Sequence, residues 1–128
     1  MREIKFRVWD KELKRMRYDA FMISGFSSGD WVEFITERGN PYPVARFEIM
    51  QWTGFKDSDG NDIYEGDIIK IETTENEALE GIVVWGNGCF LLKWRLDTEC
   101  YSLLGDFAQI ISQKGKVIGN TMETAINW

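Results

Sequence analysis

The segment most like a chemical site is DSDGNDIYEGD, which begins at Asp57 and crowds carboxylates around two glycines. A Ca²⁺ loop of the EF-hand type places its ligands at positions 1, 3, 5 and 12 and a glycine at position 6. Counting from Asp57, the residues Asp59 and Asn61 fall at positions 3 and 5. Position 6 is Asp62, however, and position 12 is Ile68, whose side chain has no oxygen. Because the flanking residues are also strand-like, the spacing argues against a metal site.

The same segment fits two consecutive tight turns. Gly60 with either of its neighbours can supply the positive φ angles that a tight turn needs. Asp57 can accept a hydrogen bond from the backbone N–H two residues further on. A second bend at residues 65 to 67 precedes an isoleucine-rich stretch. We therefore predict a structural turn whose carboxylates remain solvated, built on Asp57, Gly60, Glu65, Gly66 and Asp67.

A second group of residues has the chemistry to bind a polyanion. Lys5, Arg7 and Trp9 share one face of a predicted strand, and Arg15 and Arg17 lie on the next strand. Cations beside an aromatic ring on a β surface can contact phosphates and stack a base. The alternative is that these side chains form the solvated outer face of a hairpin.

The charge distribution disfavours nucleic acid as a partner. Residues 1 to 17 hold seven Lys or Arg against three acidic residues, an excess of +4, so the remaining 111 residues of this −6 chain carry −10. Such a remainder opposes binding to nucleic acid at physiological salt. Nucleic acid is therefore the alternative partner rather than the favoured one.

The composition also argues against catalysis. The chain has no histidine, which removes Ser-His and Cys-His pairs and any imidazole acid or base. Cys89 and Cys100 lie in strand-like, aromatic-rich surroundings without an obvious activating base. Neither a phosphate-binding loop nor a dinucleotide fingerprint appears. We predict no catalytic residue, no metal ligand and no cofactor.

Three features predict a cytoplasmic protein. No segment approaches eighteen uninterrupted apolar residues, and the N-terminus lacks the apolar region of an export signal. The two cysteines are too few for a disulfide scaffold or, without histidine, for a zinc site. We therefore expect two reduced thiols and no membrane partner.

The alternation of apolar and polar residues predicts a mainly-β fold. Residues 3 to 18 read as an opening hairpin in which Ile4, Phe6 and Val8 face one way and Lys5, Arg7 and Trp9 the other. Glycine- and proline-rich stretches at 24–30 and 38–43 predict loops, and we read the acidic run 74–80 as a hairpin loop. Further strands are predicted at 31–37, 45–52, 67–73, 81–85, 90–96 and 114–120, with a tight turn at 86–88.

The segment 102–112, SLLGDFAQIIS, fits a short helix and a bent strand about equally well. Its apolar residues have helical spacing, but Gly105 costs about 1 kcal/mol in a helix interior. Asn120 and Glu123 are spaced to cap a short terminal helix. The fold prediction is a small barrel or sandwich with one or two short helices. A boundary at the 38–43 loop would give domains 1–43 and 44–128, unless residues 1–128 form one integrated domain.

The segment IMQWTGFKDSDGNDIYEGDIIKI, preceded by REIKFRVWDKELKRM and followed by VIGN, resembles the YopX family of bacteriophage and prophage proteins. The positions that carry the resemblance are Trp9, Asp10, Thr53, Gly54, Phe55, Lys56, Asp57, Tyr64, Glu65, Gly66, Asp67, Ile118, Gly119, Asn120 and Glu123. The resemblance implies a phage accessory protein of no established activity, with an SH3-like barrel in its C-terminal part. It also implies that Tyr64 belongs to the structural turn, where its ring packs and its hydroxyl finds a partner.

Association with another protein is the function that the sequence favours. A +4 end and a −10 remainder can associate head to tail. The eighteen aromatic residues exceed what a small barrel easily hides, and interfaces favour aromatic residues. We predict a non-enzymatic protein-binding or self-assembling module, either a homo-oligomer or bound to a phage or host protein. The alternative is a monomer whose core is rich in aromatic residues.

Overall fold

The computed structural model describes residues 3–19, 21–26, 29–35, 41–74, 76–96 and 98–123. The chain forms two compact units. We call Phe6–Met50 the hairpin unit, and Met1–Lys5 together with Gln51–Trp128 the helix unit. Compactness does not test the predicted division into domains 1–43 and 44–128, which stays a prediction.

The hairpin unit contains two small antiparallel sheets. In the first, β1 lies between β2 and β6, and in the second, β4 lies between β3 and β5. Val8, Val32, Phe34 and Phe47 form its buried core. The elements of this unit are β1 (Phe6–Asp10), β2 (Arg15–Arg17), β3 (Phe21–Phe26), β4 (Gly29–Phe34), β5 (Tyr42–Pro43), a 3-10 helix (Val44–Arg46) and β6 (Phe47–Lys56), which continues into the helix unit.

The opening hairpin is confirmed, and the strand predicted at 31–37 is present as β4, which begins at Gly29 and ends at Phe34. Two loop predictions are wrong in part. Residues 24–26 and 29–30 are paired strand residues, with Ser24 opposite Trp31. Tyr42–Pro43 pairs with β4, with Pro43 at the end of a two-residue strand. Pairing with β4 overrides the weak strand preference of glycine, serine and proline here. Residues 27–28 and 38–40 of the predicted loops, and residues 36–37 of the predicted strand, lie outside the described part of the chain.

A buried ion pair holds the hairpin unit together. The Arg46 guanidinium donates two hydrogen bonds to the Asp10 carboxylate, with N···O distances of 3.0 and 2.9 Å. Asp10 is fully buried, and its Oδ1 also accepts hydrogen bonds from the backbone N–H groups of Glu12 and Leu13. Burial alone would raise the pKa of Asp10, but these donors outweigh it and lower the pKa. One carboxylate thus fixes the β1–β2 turn and the start of β6 at once.

The helix unit contains a five-stranded antiparallel sheet in the order β11-β10-β9-β8-β12, curled into half a barrel. Helix α1 connects the two edge strands of this sheet and packs on its apolar face. The buried core is made by Ile63, Ile69, Ile71, Val83, Leu92, Trp94, Leu104 and Ile111. The elements are β7 (Asp62–Tyr64), which pairs with β6, then β8 (Asp67–Thr74), β9 (Glu77–Gly86), β10 (Cys89–Trp94), β11 (Tyr101–Leu103), α1 (Leu104–Lys114) and β12 (Gly115–Asn120).

The mainly-β fold is confirmed, and the predicted strands at 67–73, 81–85 and 114–120 are present. The acidic run 74–80 is not a hairpin loop as a whole, because β9 begins at Glu77, which pairs with Thr74. The strand predicted for 90–96 ends at Trp94, which leaves Leu96 exposed. The SH3-like form of the barrel stays a prediction.

The open choice at 102–112 resolves to a helix from Leu104 onward. Gly105 lies in the first turn, where the interior penalty for glycine does not apply in full. Gly115 ends the helix, and a Cβ there would lie 2.8 Å from Ile111 Cα, so only glycine fits. No helix in the described part of the chain is long and apolar enough to cross a bilayer.

The acidic segment forms two turns, and our expectation of solvated carboxylates is wrong for two of its residues. Asp57 is 4% exposed and Asp67 is 1% exposed. Gly60 and Gly66 have φ angles of +81° and +89°, which residues other than glycine rarely adopt. Asp67 accepts a hydrogen bond from the backbone N–H of Tyr64 at 2.8 Å and so closes the second turn. These carboxylates are buried because they satisfy backbone donors.

Asp57 organises the first turn and joins it to β12. Its Oδ1 accepts hydrogen bonds from the backbone N–H groups of Asp59 and Asn61, at 3.0 and 2.9 Å. Its Oδ2 accepts the backbone N–H of Val117 at 3.0 Å, at the point where the β12–β8 register shifts. Burial would raise the pKa of Asp57, but these three N–H donors lower it. Within the described residues, no group of three carboxylates or thiols is arranged to hold a metal ion.

The predicted cap at the C-terminal end has the expected local geometry. Asn120 Oδ1 accepts hydrogen bonds from the backbone N–H groups of Met122 and Glu123 at 3.0 and 2.9 Å. Residues 121–123 form a turn. The terminal helix that this cap would begin lies outside the described residues.

We expect Asp57→Asn to lower the free energy of unfolding at pH 7 by about 2 kcal/mol, because an amide cannot accept every N–H that the carboxylate accepts. The folded-state pKa of Asp57 lies below its unfolded value, so the carboxylate stabilises the fold above about pH 4. This contribution disappears as pH falls through the folded pKa. Urea unfolding at pH 7 and pH 3 should therefore show a smaller difference between the wild type and the variant at pH 3.

The control is Asp59→Asn, which changes the charge equally at an exposed carboxylate two residues away. We expect a change of less than about 0.5 kcal/mol for it. Equal destabilisation by both variants would contradict the role of Asp57. A rise in Tm on addition of millimolar Ca²⁺ would contradict the assignment of the segment as a turn.

Candidate functional site

A cleft of about 670 Å³ opens in the helix unit. Its walls are mostly apolar and carry four aromatic rings, those of Trp52, Phe55, Trp85 and Phe90. Volumes of 300–1,000 Å³ are typical of ligand sites, which are mainly apolar with a few polar groups. The cleft is therefore the candidate site of this unit.

The β9–β10 hairpin supplies one wall of the cleft. Trp85 and Phe90 are directly opposite each other, with ring centroids 4.8 Å apart at 76°. The intervening Asn87 and Gly88 have φ angles of 53° and 79°, as the tight turn predicted at 86–88 requires. Edge-to-face contact with Phe90 fixes the Trp85 ring. Trp85 is nevertheless 54% exposed.

Trp85 is exposed because the helix covers only part of the apolar face of the sheet. Val83 and Leu92 face each other across the hairpin on the same side as Trp85, and both are fully buried. The Phe107 ring of α1 packs on Trp94, 5.1 Å between centroids, at the other end of β10. The apolar stripe thus continues past the helix and forms the cleft.

Strand β6 supplies the other wall through a locally irregular backbone. Trp52 donates its indole N–H to the carbonyl of Phe55 at 3.2 Å. Thr53 donates its hydroxyl to the carbonyl of Ile63 at 2.8 Å and accepts the N–H of Phe55 at 3.2 Å. Gly54, with φ of +89°, allows this bend. Both aromatic walls are therefore held by hydrogen bonds or ring contacts within the unit.

The charged side chains at the cleft are both acidic. Glu3 and Asp106 line it, and the described lining contains no Lys, Arg or His. The helix unit has eight basic and fourteen acidic residues, a net charge of −6, whereas the hairpin unit has seven of each. The whole net charge of the chain therefore belongs to the unit that contains the cleft.

The first turn of α1 also borders the cleft. Leu103, Leu104, Gly105 and Asp106 line it, and the N-cap residue Leu103 gives no side-chain cap. Backbone N–H groups of a first helical turn have no partner within the helix. Asp106 lies in this turn, where a negative charge interacts favourably with the helix dipole.

One of the two cysteines of the chain lies at the cleft. Cys89 is the thiol that lines it, and its S–H donates to the carbonyl of Gly86 at 3.5 Å. A nucleophilic cysteine needs a neighbouring base or cation. Apart from Cys89, the ionisable side chains of the described lining are the carboxylates of Glu3 and Asp106, and no cation is among them.

The candidate binding residues of the hairpin lie in different environments. Arg7 and Arg17 are buried, at 3% and 6% exposure. Arg7 Nη1 donates to the Tyr18 hydroxyl at 3.4 Å. Arg17 donates to Asp19 at 2.7 Å and lies 3.7 Å from the centre of the Phe34 ring. Both guanidinium groups are thus engaged inside the protein rather than presented to a phosphate.

The strand register separates these residues further. Trp9 lies opposite Met16, whereas Arg15 and Arg17 lie opposite Asp10 and Val8. Directly opposed residues point to the same face, so Arg15 and Arg17 project on the other side from Trp9. The binding role of these residues stays a prediction, but the hairpin does not bring them to one surface.

Lys5, the fifth candidate, belongs to the helix unit. Its ammonium group bonds to Asp62 at 2.7 Å and lies 4.0 Å from the centre of the Trp52 ring. The hydrogen bond to Asp62 raises the pKa of Lys5. Burial would raise the pKa of Asp62, but Lys5 and Lys56 lower it. This cation is therefore paired beside one wall of the cleft.

The predicted faces of the first strand are wrong in part. Val8 is buried as expected, but Ile4 and Phe6 are 64% and 42% exposed, whereas Arg7 is buried. A period of two identifies the strand and not which face is covered. The residues that line the cleft were not predicted as a site, although the excess of aromatic residues in the chain was the relevant signal.

Comparisons with known proteins agree with this architecture. The family model described as YopX protein matches residues 5–125. A search of the curated proteins found no match.

Two solved structures share the fold. The crystal structure of protein EF1440 from Enterococcus faecalis is 24% identical, with a TM-score of 0.60 and 96% of each chain covered. The X-ray structure of protein yopX from Bacillus subtilis is 19% identical, with a TM-score of 0.60 and 93% of each chain covered. The sequence resemblance noted from the Thr-Gly-Phe-Lys-Asp and Tyr-Glu-Gly-Asp blocks is thus confirmed, and the chain belongs to the YopX family.

Proposed function

We propose that the protein is a non-enzymatic protein-binding module of a phage or prophage, and that the aromatic cleft binds an extended segment of its partner. The partner is a phage or host protein, met in the host cytoplasm. The observation that supports this proposal most directly is that Trp85 is 54% exposed in a cleft of about 670 Å³ although its ring is fixed by contact with Phe90. Rigid, exposed aromatic rings are frequent energetic centres of protein interfaces.

The backbone N–H groups at the start of α1 support a peptide as the occupant of the cleft. An extended peptide presents carbonyl groups, and the uncapped first turn of α1 presents N–H donors to the cleft. We also propose that the C-terminal part is an SH3-like barrel, which the curled antiparallel sheet supports. Aromatic-lined grooves of SH3 domains bind extended peptides.

The absence of an activated nucleophile supports the non-enzymatic part of the proposal. The chain has no histidine, and the described lining of the cleft contains no Lys or Arg that could activate Cys89. Nucleic acid remains the weaker alternative. Arg7 and Arg17 are engaged internally, and the helix unit is acidic.

Self-association is a second candidate, favoured by an exposed sheet edge in the hairpin unit. Strand β3 is the outer strand of its sheet. Two consecutive residues of β3, Met22 and Ile23, are 56% and 50% exposed. An edge strand with apolar side chains on both faces is a template for pairing with another chain. We propose that a second copy pairs there to give a homo-oligomer.

For cleft binding, we expect a displayed library of random dodecapeptides, selected against the immobilised protein, to yield peptides that depend on Trp85. Trp85→Ala should lower the affinity for these peptides at least about tenfold, because an aromatic anchor that is buried on binding contributes much of the binding free energy. The measurement is the dissociation constant of each selected peptide by fluorescence anisotropy.

The control is Tyr101→Ala, which removes another exposed aromatic ring of the helix unit that does not line the cleft. Selected peptides should bind this variant as they bind the wild type. Failure to enrich any peptide, or equal binding to the Trp85→Ala variant, would exclude the cleft as a peptide site.

For self-association, we expect light scattering to give a multiple of the chain mass at both low and moderate salt. Ile23→Lys should shift the protein towards the monomer, because a charge on an edge strand opposes pairing. Leu96→Lys, at an equally exposed residue outside β3, should leave the mass unchanged. A monomer at both salt concentrations would rule out this candidate.

A further inference from the structure

We infer that the cleft selects an arginine side chain of its partner segment, with the guanidinium group held between aromatic rings and the carboxylates of Glu3 and Asp106. The inference rests on the proposed function, because it assumes that the cleft binds an extended protein segment. It adds the chemistry of the side chain that gives the cleft its specificity.

Charge complementarity is the first support. Both charged side chains that line the cleft are carboxylates, and the helix unit carries the entire net charge of −6. Glu3 and Asp106 are exposed, so a partner's cation can approach them. An acidic field of this kind steers cationic segments towards the site and disfavours anionic ones.

The second support is a recurrent arrangement in which one cation contacts both a ring and a carboxylate. Arg17 lies 3.7 Å from the Phe34 ring centre and bonds to Asp19. Arg46 lies 4.6 Å from the Tyr42 ring centre and bonds to Asp10. Each cation is thus held by a ring and by an ion pair simultaneously.

The same arrangement occurs beside the cleft itself. Lys5 lies 4.0 Å from the Trp52 ring centre and bonds to Asp62. The cleft holds the remaining components, exposed Trp85 and the two carboxylates, but none of the described residues places a cation over Trp85. A cation from a partner would complete this set.

Arginine fits the cleft better than lysine. Its planar guanidinium group stacks on an aromatic ring and bonds a carboxylate through two N–H groups at once, whereas an ammonium group is a strongly hydrated point charge. Two of the three internal examples use arginine. The uncapped N–H groups at the start of α1 would donate hydrogen bonds to the neutral backbone carbonyls of the same segment.

The test uses three fluorescent ten-residue peptides, in which proline alternates with arginine, with citrulline or with glutamate. Citrulline keeps the shape of arginine and removes its charge. Fluorescence anisotropy at 150 mM salt should show the arginine peptide binding at least about tenfold more tightly than the citrulline peptide, since charge-assisted contacts are the stronger ones. The glutamate peptide should not bind.

Variants locate the selectivity. Glu3→Gln and Asp106→Asn should each lower the affinity for the arginine peptide about threefold to tenfold and leave the affinity for the citrulline peptide unchanged. Trp85→Ala should weaken both peptides. The matched control is Asp59→Asn, an exposed carboxylate of the same unit outside the cleft, which should retain wild-type affinity for the arginine peptide.

The possible failures are distinguishable. Equal affinity for the arginine and citrulline peptides, with both lost in Trp85→Ala, would overturn arginine selection and leave the peptide-binding proposal standing. If Asp59→Asn and Asp106→Asn weaken binding of the arginine peptide equally, the preference for arginine arises from the overall charge of the unit. That result would also overturn arginine selection by the cleft. If the arginine peptide does not bind at all, arginine selection is wrong, and the dodecapeptide selection then decides whether the cleft binds peptides.

Discussion

The incomplete cover that an eleven-residue helix gives to a curled five-stranded sheet is the constraint on which the candidate site depends. Leu104, Phe107 and Ile111 place their side chains on the core near Trp94. The apolar stripe of the β9–β10 hairpin runs further than the helix reaches, and its last pair is Trp85 with Phe90. Burying that pair would gain free energy from the hydrophobic effect. The exposed Trp85 ring and the partly buried Phe90 ring therefore form a surface that another molecule can cover with a net gain in free energy.

Buried carboxylates keep the scaffold around this surface in place. Asp57 and Asp67 close consecutive turns by accepting backbone N–H groups, and Asp57 also joins the first turn to β12. Asp10 performs the same task in the hairpin unit with Arg46 as its counter-ion. A buried carboxylate is tolerated only when hydrogen bonds or charges compensate its lost hydration. This explains how a segment dense in acidic residues folds into two tight turns.

Alternation was enough to predict most strands, and the Tyr-Glu-Gly-Asp block was enough to predict the family. Alternation failed where pairing overrode local preference, as at the serine- and glycine-rich ends of β3 and β4 and at Glu77 in β9. It also failed for Arg7, because burial of an arginine depends on distant partners such as the Tyr18 hydroxyl. The helix could not be separated from a strand because Gly105 stands within its apolar pattern. The cleft could not be predicted from the sequence, since its existence depends on where α1 begins relative to Trp85.

The central claim is that the cleft is the binding surface, and Cys89 reports on it directly because its thiol lines the cleft while Cys100 packs against the core. The rate of iodoacetamide alkylation at each cysteine can be followed by mass spectrometry, with and without a saturating peptide from the dodecapeptide selection. A peptide seated in the cleft should slow alkylation of Cys89 severalfold and leave the rate at Cys100 unchanged. Saturating peptide that leaves the Cys89 rate unaltered would contradict the account, because the peptide would then be bound elsewhere.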